Sequence, residues 1–207
     1  MSDLPFPDSA TTQELLSACA RGSRSAYNEL FQSHRRGLTQ FIEARIDPAI
    51  SPRVDASDIV QETQTVMFSR LDDFLQRRPM GFHTWAIKTA FDCLAKARRT
   101  HVLTAKRSVL GEARLTDKSS IAFTQQLFLA APDERQRLDR EETIQVVRQA
   151  LAALDEIDRE LFHMRYVEGL SNQAIGEILE LTTSAVSKRH GRAIRRLHGA
   201  LAECWEE

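Results

Sequence analysis

The sequence predicts an all-α protein with two small helical domains joined by a linker, the C-terminal one a helix-turn-helix. Only 8 Gly and 6 Pro occur in 207 residues, and apolar residues recur at three- and four-residue steps along most of the chain. No strand-like alternation persists for long enough to compete with this pattern. Residues 103–140 lose the pattern and mix scattered charges with Gly111 and Pro132, which is typical of a linker. We therefore expect domains at residues 10–102 and 141–204.

Two helical blocks open the first domain. Thr11 or Thr12 can cap the first helix, and the helical pattern breaks at Gly22. The pattern resumes at Ser25 and continues to Ile42. Both blocks supply apolar side chains for a core.

An acidic helix is predicted after the loop at residues 48–52. Asp55 or Ser57 can cap it, and its apolar face begins at Ile59. Its polar side carries Asp58, Gln61 and Glu62. This side suits docking against a basic surface of a partner protein, although charged helix faces are also commonly just solvated.

Aromatic and basic side chains are interleaved in the block at residues 81–99. Phe82, Trp85 and Phe91 suit stacking on unpaired bases. The side chains able to neutralise nearby phosphates are Lys88, Lys96, Arg98 and Arg99. Aromatic residues at helical spacing are also typical of a core. We expect some of the aromatic residues to pack inside the domain and others to line a DNA surface.

A short capped helix and a tight turn begin the helix-turn-helix pattern at residues 170–197. Ser171 can cap this helix, and Ile175 and Ile178 share its buried side. Glu180 and Leu181 form the turn. The spacing predicts a second helix immediately afterwards.

The second helix of this pattern is strongly basic. Thr182 or Thr183 can cap it, and Val186 with either Ala193 or Ile194 faces the core. Residues 188–196 contain five Lys or Arg and no acid. Such a run can contact phosphates and base edges in the major groove of DNA, whereas an ordinary solvated basic face is the alternative.

Composition limits the other classes of function. The 28 basic and 29 acidic residues give a formal charge of −1, so attraction to nucleic acid depends on local clustering. Three widely spaced cysteines give no disulfide framework or metal-ligand spacing, and we expect neither a metal nor a cofactor. The acidic, proline-containing N-terminus is unlike a signal peptide, and no window reaches membrane-spanning length. We expect a soluble, cytoplasmic, non-enzymatic protein without membrane insertion.

Taken in order, the acidic DASDIVQE helix, the F-x-x-W block ending in Arg-Arg, the polar linker and the basic helix-turn-helix resemble the extracytoplasmic-function (ECF) class of the sigma-70 family. The match covers roughly residues 25–102 and 141–202. The resemblance implies an RNA polymerase sigma factor that directs core polymerase to promoters and assists melting. It further implies docking of the first domain on the beta-prime coiled coil and of the second on the beta flap. An anti-sigma factor is a further partner that it allows.

The resemblance also implies roles for individual residues. Those for core polymerase are Asp55, Asp58, Ile59, Gln61 and Glu62. Those for the minus-ten element are Phe82, Trp85, Lys88, Asp92, Lys96, Arg98 and Arg99. Those for the minus-thirty-five element are Thr183, Ser184, Ser187, Lys188, Arg189, Arg192 and Arg196.

Three positions depart from the family pattern, and two other functions remain as alternatives. Asp92 stands where Asn is usual, Glu180 where Gly is usual, and Gly176 where Ala is usual. One alternative is a stand-alone helix-turn-helix regulator whose N-terminal half dimerises or senses a ligand. The other is a nucleic-acid-modifying enzyme, which would need a cluster of Asp, Glu or His that the sequence does not offer.

Overall fold

The computed structural model describes residues 9–46, 55–105, 147 and 149–205. The chain divides into two compact units, Met1–Arg114 and Leu115–Glu207. All regular secondary structure within the described residues is helical, so the all-α prediction is confirmed. Residues 106–140 of the predicted linker lie outside the described residues.

The helices of the first unit are α1 (Ala10–Ala20), α2 (Arg24–Glu43), α3 (Ala56–Ser69), α4 (Leu71–Arg77) and α5 (Phe82–Ala105). Ser9 caps α1 by accepting a hydrogen bond from the backbone N–H of Thr12 at 3.2 Å. The prediction of Thr11 or Thr12 as the cap is therefore wrong, because the chain is already helical at both residues. Asp55 caps α3 as predicted, with its carboxylate accepting from the N–H of Ser57 at 3.1 Å.

The core of the first unit lies between α2, α3 and α5, which contact one another, while α1 packs on α2. Phe31, Phe41 and Phe82 are fully buried there, together with Met67 and Ile87. Burying one side chain of this size contributes about 1.5–3 kcal/mol. α5 continues three residues beyond the predicted end of the domain at residue 102.

The second unit contains a helical segment at residues 149–152, then α6 (Glu156–Tyr166), α7 (Asn172–Leu179) and α8 (Thr183–Trp205). α8 contacts both α6 and α7. Val186 and Ala193 are fully buried on its inner side, whereas Ile194 is 39% exposed. Ala193 is therefore the core residue of the two that the sequence left open.

The turn between α7 and α8 depends on two of the residues that depart from the family pattern. The C-cap of α7 is Glu180, whose backbone is left-handed at φ 57° and ψ 40°, a conformation that costs a non-glycine residue about 1–2 kcal/mol. The backbone N–H of Leu181 donates to the carbonyl of Gly176 at 2.9 Å. A Cβ on residue 176 would lie 2.6 Å from the Leu181 carbonyl oxygen. Glycine at 176 therefore lets the chain fold back this closely.

Candidate nucleic-acid interface

The helix-turn-helix presents a cationic face on α8. Its N-cap is Thr182, whose hydroxyl accepts from the N–H of Ala185 at 3.2 Å. Ser171 caps α7 in the same way, accepting from the N–H of Ala174 at 3.1 Å. The exposed cations of α8 are Lys188, Arg192, Arg195 and Arg196. Helices of this kind enter the major groove with their exposed side chains towards the bases.

The first turn of α8 leaves polar groups accessible. Thr183, Ser184 and Ser187 are exposed. The Ser187 hydroxyl donates to the Thr183 carbonyl and accepts from the side-chain amide of Asn172, each at 3.0 Å. This bond ties α7 to α8 beside the exposed face. Backbone N–H groups at a helix N-terminus suit a phosphate.

Arg189 points away from this face. Its guanidinium lies 2.7 Å from the carboxylate of Asp158 and 3.3 Å from that of Asp155, both at the start of α6. The hydrogen bond that Arg189 donates to Asp158 raises the pKa of Arg189, and the backbone N–H of Asp158 lowers the pKa of Asp155. In this arrangement the guanidinium of Arg189 is bound by two carboxylates within the protein, so the base contact by Arg189 would need these ion pairs to break and stays a prediction.

His190 is turned the same way. Its Nε2 lies 2.9 Å from the hydroxyl of Tyr166, and its ring stacks on Phe162 with centroids 5.4 Å apart. Burial lowers the pKa of His190, and the charge of Arg165 adds to this. Arg189 and His190 together fix the rotation of α8 against α6.

That rotation identifies one residue that the sequence prediction omitted. Arg195 follows Lys188 by seven residues, so both lie on the same side of the helix, and both are exposed. The helical period alone was sufficient to find it.

The outer side of α3 carries polar residues followed by one large apolar residue. Asp58, Gln61 and Thr65 are exposed at three- and four-residue steps, and Phe68 follows with 47% of its surface exposed. Asp55 is exposed at the N-cap. Ile59 is 2% exposed. The predicted polymerase contact by Ile59 is wrong, because its side chain belongs to the core.

Glu62 and Lys96 form an ion pair between α3 and α5. The Lys96 ammonium donates to the Glu62 carboxylate at 2.7 Å, and this hydrogen bond raises the pKa of Lys96. The sequence assigned these two residues to different partners. In the structure they are neighbours.

α5 brings five of the predicted minus-ten residues onto one stripe. The spacing of three and four residues places on one side Trp85, Lys88, Asp92, Lys96 and Arg99. Asp92, Lys96 and Arg99 are exposed, and Trp85 is half-buried. The indole stacks on the ring of Phe74, with centroids 4.3 Å apart.

The other two predicted minus-ten residues are turned into the first unit. Phe82 is fully buried, 5.0 Å from the ring of His34 and 5.9 Å from that of Phe74. Arg98 donates to the backbone carbonyl of Arg45 at 2.9 Å. The assignment of Phe82 is wrong for this structure, since its ring presents no surface to a base. Arg98 is only half-buried, so its minus-ten contact stays a prediction.

Within the described residues, no group of three His, Cys, Asp or Glu side chains is arranged to hold a metal ion. Nor does any described helix combine the length and the apolar character needed to cross a membrane.

Comparison with known proteins places these features in one family. The family model for "Sigma-70, region 4" matches residues 144–197. RNA polymerase sigma factor CnrH of Cupriavidus metallidurans is 26% identical over 190 residues, covering 90% of this chain and 92% of CnrH. The ECF RNA polymerase sigma-E factor of Salmonella typhimurium is 24% identical over 190 residues, covering 88% of this chain and 90% of the sigma-E factor.

A solved structure shares the fold. The structure of CnrH in complex with the cytosolic domain of CnrY matches with a TM-score of 0.57 at 22% identity, covering 94% of this chain and 99% of that one. The helix-turn-helix lies within the part of the chain that the region 4 model matches, and the sigma factor relatives extend over both units. Residues 144–197 of the chain match sigma-70 region 4, and over nearly its whole length the chain is similar to RNA polymerase sigma factors, among them members of the ECF class.

Proposed function

We propose that the chain is an RNA polymerase sigma factor that reads two promoter elements with its two units while α3 holds core polymerase. The second domain, residues 141–204, binds the minus-thirty-five element and the beta flap, and the first, residues 10–102, binds the minus-ten element and the beta-prime coiled coil. Residues 103–140 connect them. The observation that carries the proposal is the cationic face of α8, which Arg189 and His190 hold outward.

On the minus-thirty-five element, α8 lies in the major groove. Lys188, Arg192 and Arg195 reach base edges and phosphates from the exposed face. Arg196 binds phosphate beside them, and the N-terminal turn with Thr183 and Ser184 takes another. These contacts release counterions, so binding weakens as the salt concentration rises.

On the minus-ten element, the stripe of α5 binds unpaired bases. The open face of Trp85 offers a stacking surface, and Lys96 and Arg99 neutralise phosphates. Asp92 is exposed and its carboxylate only accepts hydrogen bonds, so it suits a base with an exocyclic amino group. Base stacking of about 1–3 kcal/mol per base offsets unpairing, so melting needs no catalytic residue.

Core polymerase binds the outer side of α3. Asp58 and Gln61 meet a basic surface there, and Phe68 adds apolar contact at the end of the helix. Glu62 joins this surface by exchanging Lys96 for a cation of polymerase. Phe68 was absent from the sequence prediction, because an aromatic residue at helical spacing is normally expected in the core.

The protein acts in the cytoplasm, where it meets polymerase, and an anti-sigma factor holds it inactive. The solved relative CnrH is in complex with the cytosolic domain of CnrY, which supports a regulatory partner of this kind. The stand-alone regulator considered from the sequence is not favoured, because the relatives are sigma factors along nearly their whole length.

The test is in vitro transcription with purified core polymerase on a promoter library, together with a core-binding assay. Asp58→Arg with Glu62→Arg should abolish core binding, because two acids of the docking side become cations. Lys188→Ala with Arg192→Ala should keep core binding and lose promoter selection. The proposal is wrong if the wild-type chain neither binds core polymerase nor starts transcription at any promoter.

A matched control separates docking from general charge effects. Glu29→Arg with Asp72→Arg changes the net charge equally at two exposed acids on other helices. We expect this variant to bind core polymerase as the wild type does. Equal loss in the two charge-reversed proteins would contradict the assignment of α3.

A further inference from the structure

α8 contains glycines for which the fold gives no steric reason. A Cβ built on Gly191 or on Gly199 meets no atom of the described residues within 4 Å, apart from its chain neighbours and the nearby backbone of the helix itself. Glycine in a helix interior is destabilising relative to alanine. Gly176 is the contrasting case, since the fold itself excludes a Cβ there. The protein therefore tolerates a weaker recognition helix without any gain in its own packing.

Gly191 lies in the middle of the cationic face. It follows Lys188 by three residues and precedes Arg195 by four, so the three share one side of the helix. Arg192 is its neighbour in the chain and is also exposed. The helix backbone at the centre of the surface that carries the cations thus has no side chain of its own and is half-buried.

The dimensions of DNA give this bare patch a use. An α-helix with its side chains is about 10–12 Å across, and the major groove is about 12 Å wide. A recognition helix therefore fits tightly, and each side chain on its leading face sets how deeply it enters. Where a side chain is missing, the helix backbone can come closer to the floor of the groove. The flanking side chains then lie nearer the base edges.

We propose that Gly191 is a specificity-determining residue of the minus-thirty-five contact, because it lets a base pair come into van der Waals contact with the backbone of α8. This inference rests on the proposed function. Lys188 and Arg195 then reach the base edges on either side of that contact. A side chain at residue 191 would hold the helix further out of the groove, and the base contacts of Lys188 and Arg195 would both become weaker.

The experiment compares Gly191→Ala with Gly199→Ala in holoenzyme formed from core polymerase and the full chain. Gly199 is the matched control, because it is exposed, equally unhindered, and about 12 Å further along the helix. The probe is a duplex that the wild-type holoenzyme enriches from a randomised pool. Thermal unfolding of each free chain is measured in parallel.

We expect both variants to unfold at or above the wild-type temperature, because alanine is the better helix former. Gly191→Ala should weaken binding of the selected duplex roughly tenfold, the size of a typical mismatch, and should enrich a different sequence at the central positions. Gly199→Ala should stay within about twofold of the wild type. A loss of binding together with a gain in stability is not what misfolding produces.

Two results would overturn the inference: wild-type binding by Gly191→Ala, or equal loss of binding in both variants. Each requires that the wild-type holoenzyme enriches a sequence, so the proposed function would stand. If the wild-type holoenzyme enriches no sequence, the proposed function fails and the inference falls with it.

Discussion

Arg189 and Asp158 form an ion pair in the second unit, and the loss of stability should depend on which of the two residues is removed. The side chain of Asp158 is 5% exposed, whereas that of Arg189 is 25% exposed and has Asp155 as a second acid within 3.3 Å. Arg189→Ala leaves a buried carboxylate without its cation. Asp158→Ala leaves a guanidinium that can turn to water and to Asp155. Removing the arginine should therefore cost more than removing the acid.

The magnitudes follow from the burial of each group. Removing one partner of a fully buried pair costs about 3–5 kcal/mol. Asp158 lies in the first turn of α6, where the helix dipole returns about 0.3–1 kcal/mol to a carboxylate, so Arg189→Ala should cost roughly 2–3 kcal/mol. Asp158→Ala should cost about 1 kcal/mol, since Arg189 keeps a partner. The double variant should be more stable than Arg189→Ala, because the buried charge is gone.

Calorimetry of the full-length chain is the assay, because separate units can unfold in separate transitions. For a small domain 1 kcal/mol corresponds to about 4–8 °C, so Arg189→Ala should lower the affected transition by roughly 10 °C or more. Arg192→Ala is the matched control on the exposed face and should change the free energy of unfolding of the second unit by less than about 0.5 kcal/mol. A double variant less stable than Arg189→Ala would refute this reasoning. If the double variant recovers stability but not promoter binding, Arg189 contacts DNA after all.

Three further predictions concern the turn, the first core and the docking surface. Gly176→Ala should destabilise the second unit by about 1–3 kcal/mol, because its Cβ would press on the Leu181 carbonyl; unchanged thermal unfolding would contradict this. Burial, reinforced by His34, lowers the pKa of His83 to about 3. Its contribution to stability is complete above pH 6.5 and is lost as the pH falls towards 3, by up to about 1.4 kcal/mol per pH unit. The free energy of unfolding, measured with denaturant, should depend less on pH in that range in His83→Phe than in the wild type. An equally steep pH dependence in the variant would argue against this role of His83. Phe68→Ala should weaken core binding in a pull-down while changing stability by less than about 1 kcal/mol, and undiminished binding would remove Phe68 from the docking surface.

The helix boundaries of the helix-turn-helix were predictable because their signals are local. Ser171 and Thr182 each bind a backbone N–H three residues ahead, so a hydroxyl before an apolar repeat predicts the start of a helix without reference to the rest of the chain. At α1 the same reasoning named a residue too far along the chain, since the cap is Ser9, which accepts from the N–H of Thr12, and not Thr11 or Thr12. The turn at Glu180 was expected from its position between two helices.

The direction in which a side chain points was less predictable, because it depends on residues far away in the sequence. Arg189 and Lys188 are neighbours in one basic run, yet Arg189 is bound by an acid 31 residues earlier. Trp85 and Phe82 belong to one aromatic motif, but the neighbouring helices cover Phe82 completely and leave Trp85 half open. Periodicity shows that a residue lies on a helix side, whereas tertiary packing determines whether that side is covered.

The ion pair of Glu62 and Lys96 links the two surfaces proposed on the first unit. The pair is largely exposed, and such pairs contribute only about 0.2–1 kcal/mol, so either residue can change partner at little cost. Under the proposed function, a cation of polymerase that takes Glu62 leaves the ammonium of Lys96 for a phosphate on the minus-ten strand. A phosphate that takes Lys96 likewise leaves Glu62 for polymerase. Each partner removes a competitor of the other, so the two surfaces are occupied more favourably together than separately.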